Sequence, residues 1–160
     1  MDEEKKLSFD TLDLKDNLLR GIYSYGFETP SQIQDKAIPI FLTGKDIIAQ
    51  AQSGTGKTGA FLISSLQKLD ESVKETQILI LCPTHELVHQ IYEVAVELSS
   101  YLDVSIMEVV GGTNVSECRR ELDKNPQIII GTPGRVLDMI QKKSLFTNKI
   151  HTLVFDEADE

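Results

Sequence analysis

The stretch that decides the fold is a glycine-rich turn, which reads Ala51-Gln52-Ser53-Gly54-Thr55-Gly56-Lys57-Thr58. It follows the short apolar run 46–49 and precedes apolar side chains at helical spacing. A strand that turns through glycines into a helix predicts a phosphate site, because the first N–H groups of a helix have no helical partner and the helix dipole adds positive charge. In such a loop we expect Lys57 to reach the β- and γ-phosphates and the Thr58 hydroxyl to coordinate Mg²⁺.

The turn departs from the pattern Gly-x-x-x-x-Gly-Lys-[Ser/Thr] at its first residue, Ala51. Alanine fits there if its φ is negative, because only a positive φ strictly requires glycine. The alternative is a glycine-rich turn that binds nothing. The strand predicted before the turn and the helix predicted after it favour the phosphate site.

Composition indicates one soluble globular domain. The chain has 160 residues, of which 41% are hydrophobic and 26% charged, and both values are ordinary for that class. No apolar run approaches a membrane span, and residues 1–6 do not form a signal peptide. Cys82 and Cys118 lack metal or disulfide spacing, so we expect reduced thiols and a cytoplasmic, or else nuclear, location.

The net charge of −9 argues against binding nucleic acid through a broad basic surface, because such binding depends on Lys and Arg that neutralise phosphates. A narrow site built from backbone N–H groups and a few side chains remains compatible with this charge.

Strands and helices alternate from residue 46 onward, which predicts an α/β fold. The predicted elements are strand 46–50, helix 57–69, strand 77–82, helix 85–102, strand 104–109, helix 115–123, strand 127–130, helix 133–142 and strand 152–155. Residues 78–81, 128–130 and 153–155 are continuously apolar, which is typical of parallel strands covered by helices on both faces.

Upstream of this alternation, the sequence predicts three helices. Apolar residues recur at helical spacing from Leu14 to Tyr25, and Gly26 is a plausible stop. Ser31 can cap a second helix. Pro39 is expected to start a short third helix that ends near Gly44.

Two carboxylates, Asp156 and Glu157, directly follow the last apolar strand. In phosphate-loop folds the acid at this place holds Mg²⁺, and its neighbour can polarise the attacking water. The alternative is a solvated acidic terminus, which the phosphate loop earlier in the chain disfavours.

Asp156-Glu157-Ala158-Asp159 spells the DEAD box, and the chain resembles a DEAD-box ATP-dependent RNA helicase over nearly its whole length. Several further motifs carry the resemblance: Phe9, Gly26-Phe27, Pro30-Ser31 and Ile33-Gln34 for the Q motif; 51–58 for motif I; Pro83-Thr84-His85-Glu86-Leu87 for motif Ia; Gly111-Gly112 for the GG motif; and Thr132-Pro133-Gly134-Arg135 for motif Ib. Residues 49–58 and 18–22 look most like the translation initiation factor 4A subfamily.

The resemblance implies a RecA-like phosphate-loop domain over residues 9–160, preceded by a flexible segment 1–8 and incomplete at its C-terminus. It implies that the intact protein binds ATP and Mg²⁺, binds the backbone of single-stranded RNA, and separates short duplexes when joined to a second RecA-like domain. A monomer without membrane contact is expected, with translation-initiation scaffold proteins as further partners.

The adenine site is assigned to Gln34 and Phe27. The Gln34 carboxamide offers a donor and an acceptor to the base edge, and Phe27 can stack on the ring. No Asn-Lys-x-Asp guanine signature is present. The alternative for Gln34 is a helix residue that faces solvent.

The resemblance implies the remaining roles. The phosphates are expected at Ala51, Gln52, Ser53, Gly54, Thr55, Gly56, Lys57 and Thr58. Catalytic roles are expected for Lys57, Asp156 and Glu157, Mg²⁺ at Thr58 and Asp156, and coupling to a Ser-Ala-Thr motif at Asp159. RNA is expected to contact Pro83, Thr84, His85, Glu86, Gly111, Gly112, Thr132, Pro133, Gly134 and Arg135. RNA binding without sequence preference is expected, because these groups suit phosphate and ribose.

The residues of motif Ib predict an anion site even without the family resemblance. Thr132 is a natural N-cap and Pro133 a natural first helical residue, so the helix start is a second anion site. Arg135 lies in the first turn, where the dipole disfavours a cation and a bound phosphate would relieve it. The alternatives are plain helix capping at 132–135 and a tight turn at 111–112.

Motif Ia departs from its usual form, with His85 in place of Arg and Val88 in place of Ala, which weakens a phosphate contact. The change creates His85-Glu86-Leu87-Val88-His89, a formal match to the zinc-protease pattern. We disfavour zinc, because the third histidine of the longer pattern is absent.

The chain ends directly after a buried strand, so we expect it to be a fragment. In related folds a further strand lies between those of motif I and the DEAD box. The fragment alone is therefore expected to be inactive, a binding-only remnant, or unstable.

Overall fold

A computed structural model of the protein describes residues 6–159. The backbone divides into two compact units. Of the described residues, the first unit contains 6–68 and 97–102, and the second contains 69–96 and 103–159. The expectation of one RecA-like domain over 9–160 stays a prediction, and residues 1–5 of the expected flexible segment lie outside the described part.

The chain before the glycine-rich loop is helical. A short 3-10 helix, Phe9–Leu12, precedes α1, Asp16–Tyr25, and α2, Gln32–Leu42. Gly26 ends α1 as predicted, with a φ of 109° and its N–H directed at the carbonyls of Ile22 and Tyr23. Ser31 begins α2 as predicted.

The expectation that Pro39 starts a separate helix is wrong, because Pro39 lies inside α2. A proline interrupts one backbone hydrogen bond and crowds the preceding turn. Here Ile38 is fully buried and Ser31 caps the helix start, and these contributions keep α2 continuous. The end near Gly44 is confirmed, where the φ is 84°.

The predicted strand 46–50 does not form. Residues 46–50 have no regular secondary structure, and Ile48 is fully exposed. A strand exists only with a hydrogen-bonded neighbour, and none of the described strands pairs with this segment. The helix after the loop is confirmed as α3, Lys57–Lys68.

The second unit is built around a parallel sheet, as predicted, which has four strands because the predicted strand 46–50 does not form. The remaining elements are β1, Ile78–Leu81; α4, His85–Leu98; β2, Ile106–Val109; α5, Val115–Leu122; β3, Ile128–Gly131; α6, Pro133–Gln141; and β4, Thr152–Phe155. The strand order is β2-β3-β1-β4. Ile78 pairs with Ile128 on one side and with Thr152 on the other.

Both faces of the central strands are buried. On one face Leu79 and Ile129 pack with residues of α5 and α6 in a single apolar cluster, and on the other face Ile78 and Ile130 are fully buried. This agrees with the continuous apolar runs. The same expectation is wrong for β4, because Leu153 and Phe155 are 51% and 61% exposed. Leu153 pairs with Leu79 and lies on the same face, but the apolar cluster formed there with α5 and α6 does not extend to β4, the edge strand.

No helix in the described part of the chain is long and apolar enough to cross a membrane.

Candidate nucleotide and RNA sites

The glycine-rich loop has the backbone of an anion cradle. Gly54 and Gly56 have left-handed φ values of 81° and 96°, and α3 begins at the next residue, Lys57. Ala51 has no positive φ, which agrees with the expectation from its residue type. The Thr55 hydroxyl donates to the carbonyl of Gln52 over 2.6 Å. Loop and helix start together present backbone N–H groups to solvent.

Gln34 is held against this loop. Its Nε2 donates to the carbonyl oxygen of Gly56 over 3.2 Å, and its Oε1 accepts from the N–H of Ser31 over 3.0 Å. The side chain is 3% exposed, so the alternative of a solvent-facing glutamine is wrong. A carboxamide has two N–H donors and two oxygen lone pairs. After these two bonds, one donor and one acceptor remain for a base edge.

Phe27 is half-buried and, like Gln34, lies next to Gly59 of α3. Its ring stacks on Phe9 with centroids 6.2 Å apart and an interplanar angle of 22°, and Tyr25 meets it edge-on at 4.8 Å. Because Phe9 stacks against the ring on one side, a base would have to approach the other side.

Gly59 is a residue that sequence reasoning missed. A Cβ there would lie 2.6 Å from Gln34 Nε2 and 3.1 Å from Phe27 Cε2. The missing side chain therefore lets the Q-motif residues approach α3. The available signal was a glycine one residue after Thr58, where it costs helix stability relative to alanine.

In the second unit, Asp156 and Glu157 follow β4. The Asp156 N–H continues the sheet ladder to the carbonyl of Leu81 over 3.0 Å. Glu157 then adopts a left-handed φ of 53° and donates its N–H to Asp156 Oδ1 over 3.1 Å. The chain thus leaves the strand alternation at Glu157. Asp159 is exposed.

Cys82 lies near this acidic end. Burial, and secondly the negative charge of Asp156, raise the pKa of the Cys82 thiol to about 12. This thiol is therefore protonated at neutral pH, as expected of a structural cysteine.

The three motifs assigned to RNA meet at the carboxyl ends of β1, β2 and β3. The Gly111 N–H donates to Thr132 Oγ1 over 3.3 Å, so this hydroxyl connects two motifs and does not cap α6. His85 lies beside Gly112, since a Cβ there would be 3.8 Å from His85 Cε1. At the start of α4, Thr84 Oγ1 accepts from the N–H of Leu87 over 3.2 Å.

Arg135 forms hydrogen bonds within the second unit. Its guanidinium donates to the Thr113 hydroxyl over 2.9 Å and to the Thr113 carbonyl over 2.8 Å. These two bonds hold the turn that follows Gly111 and Gly112. Arg135 therefore has a structural role that its position in the first helical turn did not predict.

His89, the second histidine of the zinc-protease pattern, is paired with carboxylates. Its Nδ1 lies 2.7 Å from Glu108 Oε1 and its Nε2 lies 3.3 Å from Glu93 Oε1. The hydrogen bond and charge of Glu108 raise the pKa of His89. Within residues 6–159 no group of three or more His, Cys, Asp or Glu side chains is placed to hold a metal ion.

Each unit thus collects a different set of predicted residues. The first unit joins the Q-motif residues to the glycine-rich loop. The second unit brings motif Ia, the GG motif and motif Ib together at the carboxyl ends of the strands, where Asp156 also lies. Parallel sheets bind ligands at the carboxyl ends of their strands.

Residues 31–160 match the family model for DEAD/DEAH box helicases. The chain belongs to this family. It is 54% identical over 153 residues to an ATP-dependent RNA helicase eIF4A of Aspergillus fumigatus, covering 96% of this chain and 38% of the relative. It is 52% identical over 158 residues to an eIF4A of Phaeosphaeria nodorum, covering 99% and 40%. The chain thus spans about 38–40% of the length of these relatives.

Solved structures of this family share the fold. S. cerevisiae Dbp5 bound to RNA and ADP BeF3 matches with a TM-score of 0.86 and 37% identity, over 95% of this chain and 38% of that one. A Dbp5 variant bound to Gle1 and IP6 matches with a TM-score of 0.85. The RecA-like α/β fold and the resemblance to DEAD-box helicases are therefore confirmed.

Proposed function

We propose that this chain is the nucleotide-binding and RNA-binding part of an ATP-dependent RNA helicase of the eIF4A type. The observation that carries the proposal is the hydrogen bond from Gln34 to Gly56. It joins a carboxamide with one donor and one acceptor left to the loop that cradles phosphates, so base and phosphates are read by one connected structure.

ATP is the proposed substrate. Backbone N–H groups of the loop and the ammonium of Lys57 bind its phosphates, and Gln34 and Phe27 bind its adenine. Thr58 and Asp156 would hold Mg²⁺, because hydroxyl and carboxylate oxygens are the ligands this ion prefers. The ion would neutralise charge on the phosphates when bound.

Glu157 is the proposed base. Its backbone adopts a left-handed conformation directly after Asp156. The two carboxylates therefore do not simply alternate across a strand, and we assign them different roles. In this role the carboxylate orients the attacking water and accepts its proton. Asp159 would transmit the state of this site to the rest of the protein.

RNA is proposed to bind along the edge formed by motifs Ia, GG and Ib. The start of α6 presents backbone N–H groups, and the Arg135–Thr113 contact holds the neighbouring turn. These groups suit phosphates, so binding should not depend on base sequence. Dbp5 binds RNA with ADP BeF3, and its similarity to this chain supports the proposal.

The intact protein is proposed to act as a monomer in the cytoplasm or nucleus, with a second RecA-like domain and with translation-initiation scaffold proteins as partners. The strand-separation assay tests the function. Full-length protein should release a labelled strand from a short RNA duplex with ATP, and Lys57→Ala should abolish the release. ATP-independent release by both proteins would contradict the proposal.

A further inference from the structure

The second unit carries an unexplained basic surface at the amino ends of its strands, opposite to the RNA edge. The segment 115–149 contains seven basic and four acidic residues, although the whole chain has a net charge of −9. Six of the seven lie at the C-terminal end of α5 or in the connection from α6 to β4: Arg119, Arg120, Lys124, Lys142, Lys143 and Lys149. Cations are stabilised at helix C-termini by the dipole.

Only part of this positive charge is neutralised within the unit. Lys124 pairs with Glu121 at 2.9 Å and Lys142 with Asp138 at 3.0 Å. Within residues 6–159, Arg120, Lys143 and Lys149 form no ion pair. Lys143 also has a left-handed φ of 56°, a conformation that side chains other than glycine adopt at some cost.

An aromatic ring and a hollow lie among these cations. Phe146 is 65% exposed and lines a small, mostly polar hollow together with Asn125, Asn148, Lys149 and the buried Leu122. The hydrogen bond from Arg119 Nε to Ser144 Oγ, 2.7 Å long, holds α5 against this connection. The fold therefore fixes the hollow, while the exposed phenyl ring adds little to the core.

We propose that this surface docks an acidic peptide segment of a partner protein, with one apolar side chain of that segment packed against the exposed ring of Phe146. We call it the basic hollow and define it by Arg119, Lys124, Lys143, Phe146 and Lys149. The acidic side chains of the peptide pair with Lys143 and Lys149, which form no ion pair within residues 6–159. Asn125 and Asn148 offer amide donors and acceptors to its backbone.

The observations favour a peptide over RNA. Single-stranded RNA binds to rows of aromatic rings along a continuous positive groove. The basic hollow has a single exposed ring, Phe146, and the side chains next to it are mostly polar. Glu75 also lines the hollow and would repel a phosphate placed inside it. An apolar side chain packed against Phe146 meets no such charge repulsion.

The test uses the full-length protein and a fluorescein-labelled probe peptide, Glu-Asp-Glu-Leu-Phe-Glu-Asp-Glu, followed by anisotropy. Saturable binding is expected, weakened at least about tenfold by Lys143→Glu/Lys149→Glu and about fivefold by Phe146→Ala. A probe with Ser-Ser in place of Leu-Phe should bind more weakly to the unchanged protein. Lys36→Glu/Lys45→Glu, which reverses two exposed lysines of the first unit, is the charge-matched control.

RNA-stimulated ATP hydrolysis of all variants reports whether each is folded, because none of these residues belongs to the nucleotide or RNA sites. Equal affinity of the two double variants for the probe would overturn the proposal. So would a loss of binding to single-stranded oligouridylate, in place of the peptide, in Lys143→Glu/Lys149→Glu, which would assign the surface to RNA.

Discussion

The Nε2 atom of Gln34 donates a hydrogen bond to the carbonyl oxygen of Gly56, over 3.2 Å. The two residues are 22 positions apart, and each already has a local constraint. Gln34 belongs to the capping box of α2, and Gly56 has a left-handed φ of 96°. A base that pairs with the remaining groups of Gln34 therefore acts on the phosphate loop through one hydrogen bond.

Replacing Gln34 by glutamate separates these functions. The carboxylate of Gln34→Glu can still accept from the Ser31 N–H, but it cannot donate to Gly56 or to a base. We expect ATP to bind about tenfold more weakly or worse, and the preference for ATP over GTP to be lost. The reason is that a buried polar group left without its hydrogen-bond partner costs about 1–3 kcal/mol.

The measurement is competition of ATP and GTP for a fluorescent nucleotide. Gln32→Glu, at an exposed position of the same helix, adds the same charge and should leave the selectivity unchanged. Unaltered selectivity in Gln34→Glu would remove this residue from base recognition.

Gly21 marks a close backbone approach in the first unit. A Cβ added there would clash with the carbonyl oxygen of Leu98. Because the clash is with backbone, Gly21→Ala should lower the free energy of unfolding by about 2–3 kcal/mol. Gly134→Ala meets no atom within 4 Å and should change it by less than about 1 kcal/mol. Urea unfolding compares the two, and coincident midpoints would contradict so close a contact between Gly21 and Leu98.

His89 predicts a pH dependence of stability. Glu108, through its hydrogen bond and charge, raises the folded-state pKa of His89 above its ordinary value of 6.5. A raised pKa stabilises the folded protein at pH below 6.5, and this contribution is lost as pH rises through the folded value. The excess unfolding free energy of wild type over His89→Gln should therefore be largest below pH 6.5 and should fall as the pH rises through the folded-state pKa. NMR titration of the His89 ring checks the pKa, and a midpoint at or below 6.5 would refute the pairing.

Arg135 should act on RNA binding by positioning the turn at Thr113. Lysine keeps the charge but cannot reproduce two directed hydrogen bonds. Arg135→Lys is therefore expected to weaken single-stranded RNA binding by about tenfold while nucleotide affinity stays unchanged. Arg120→Lys, at an exposed position on α5, is the control in the same anisotropy titration. Equal RNA affinities of the two variants would show that charge alone matters at position 135.

Local signals predicted most elements of the fold. Strand 152–155 matches β4, and Gly26 and Ser31 end and begin helices where expected, because caps and apolar runs act over a few residues. The failures depend on distant neighbours. Residues 46–50 have the composition of a strand but no partner among the described strands. Phe155 is exposed because the apolar cluster formed with α5 and α6 does not extend over β4.

The same distinction applies to the sites. The motif residues could be predicted because their types and spacing carry the chemistry. The contacts that organise them could not: Gln34 with Gly56, Arg135 with Thr113, and His89 with Glu108 each join residues at least 19 positions apart. No periodicity or cap connects such pairs, so only the folded backbone reveals them.

Glu157 offers the most direct test of the proposed helicase chemistry. Phosphate release by the full-length protein should be stimulated by single-stranded RNA, and Glu157→Gln should bind ATP with near-normal affinity while its turnover falls by about 10²- to 10⁴-fold. This result would assign Glu157 to the attacking water and not to nucleotide binding. Wild-type turnover in Glu157→Gln, or equal loss of ATP binding and turnover, would contradict the account.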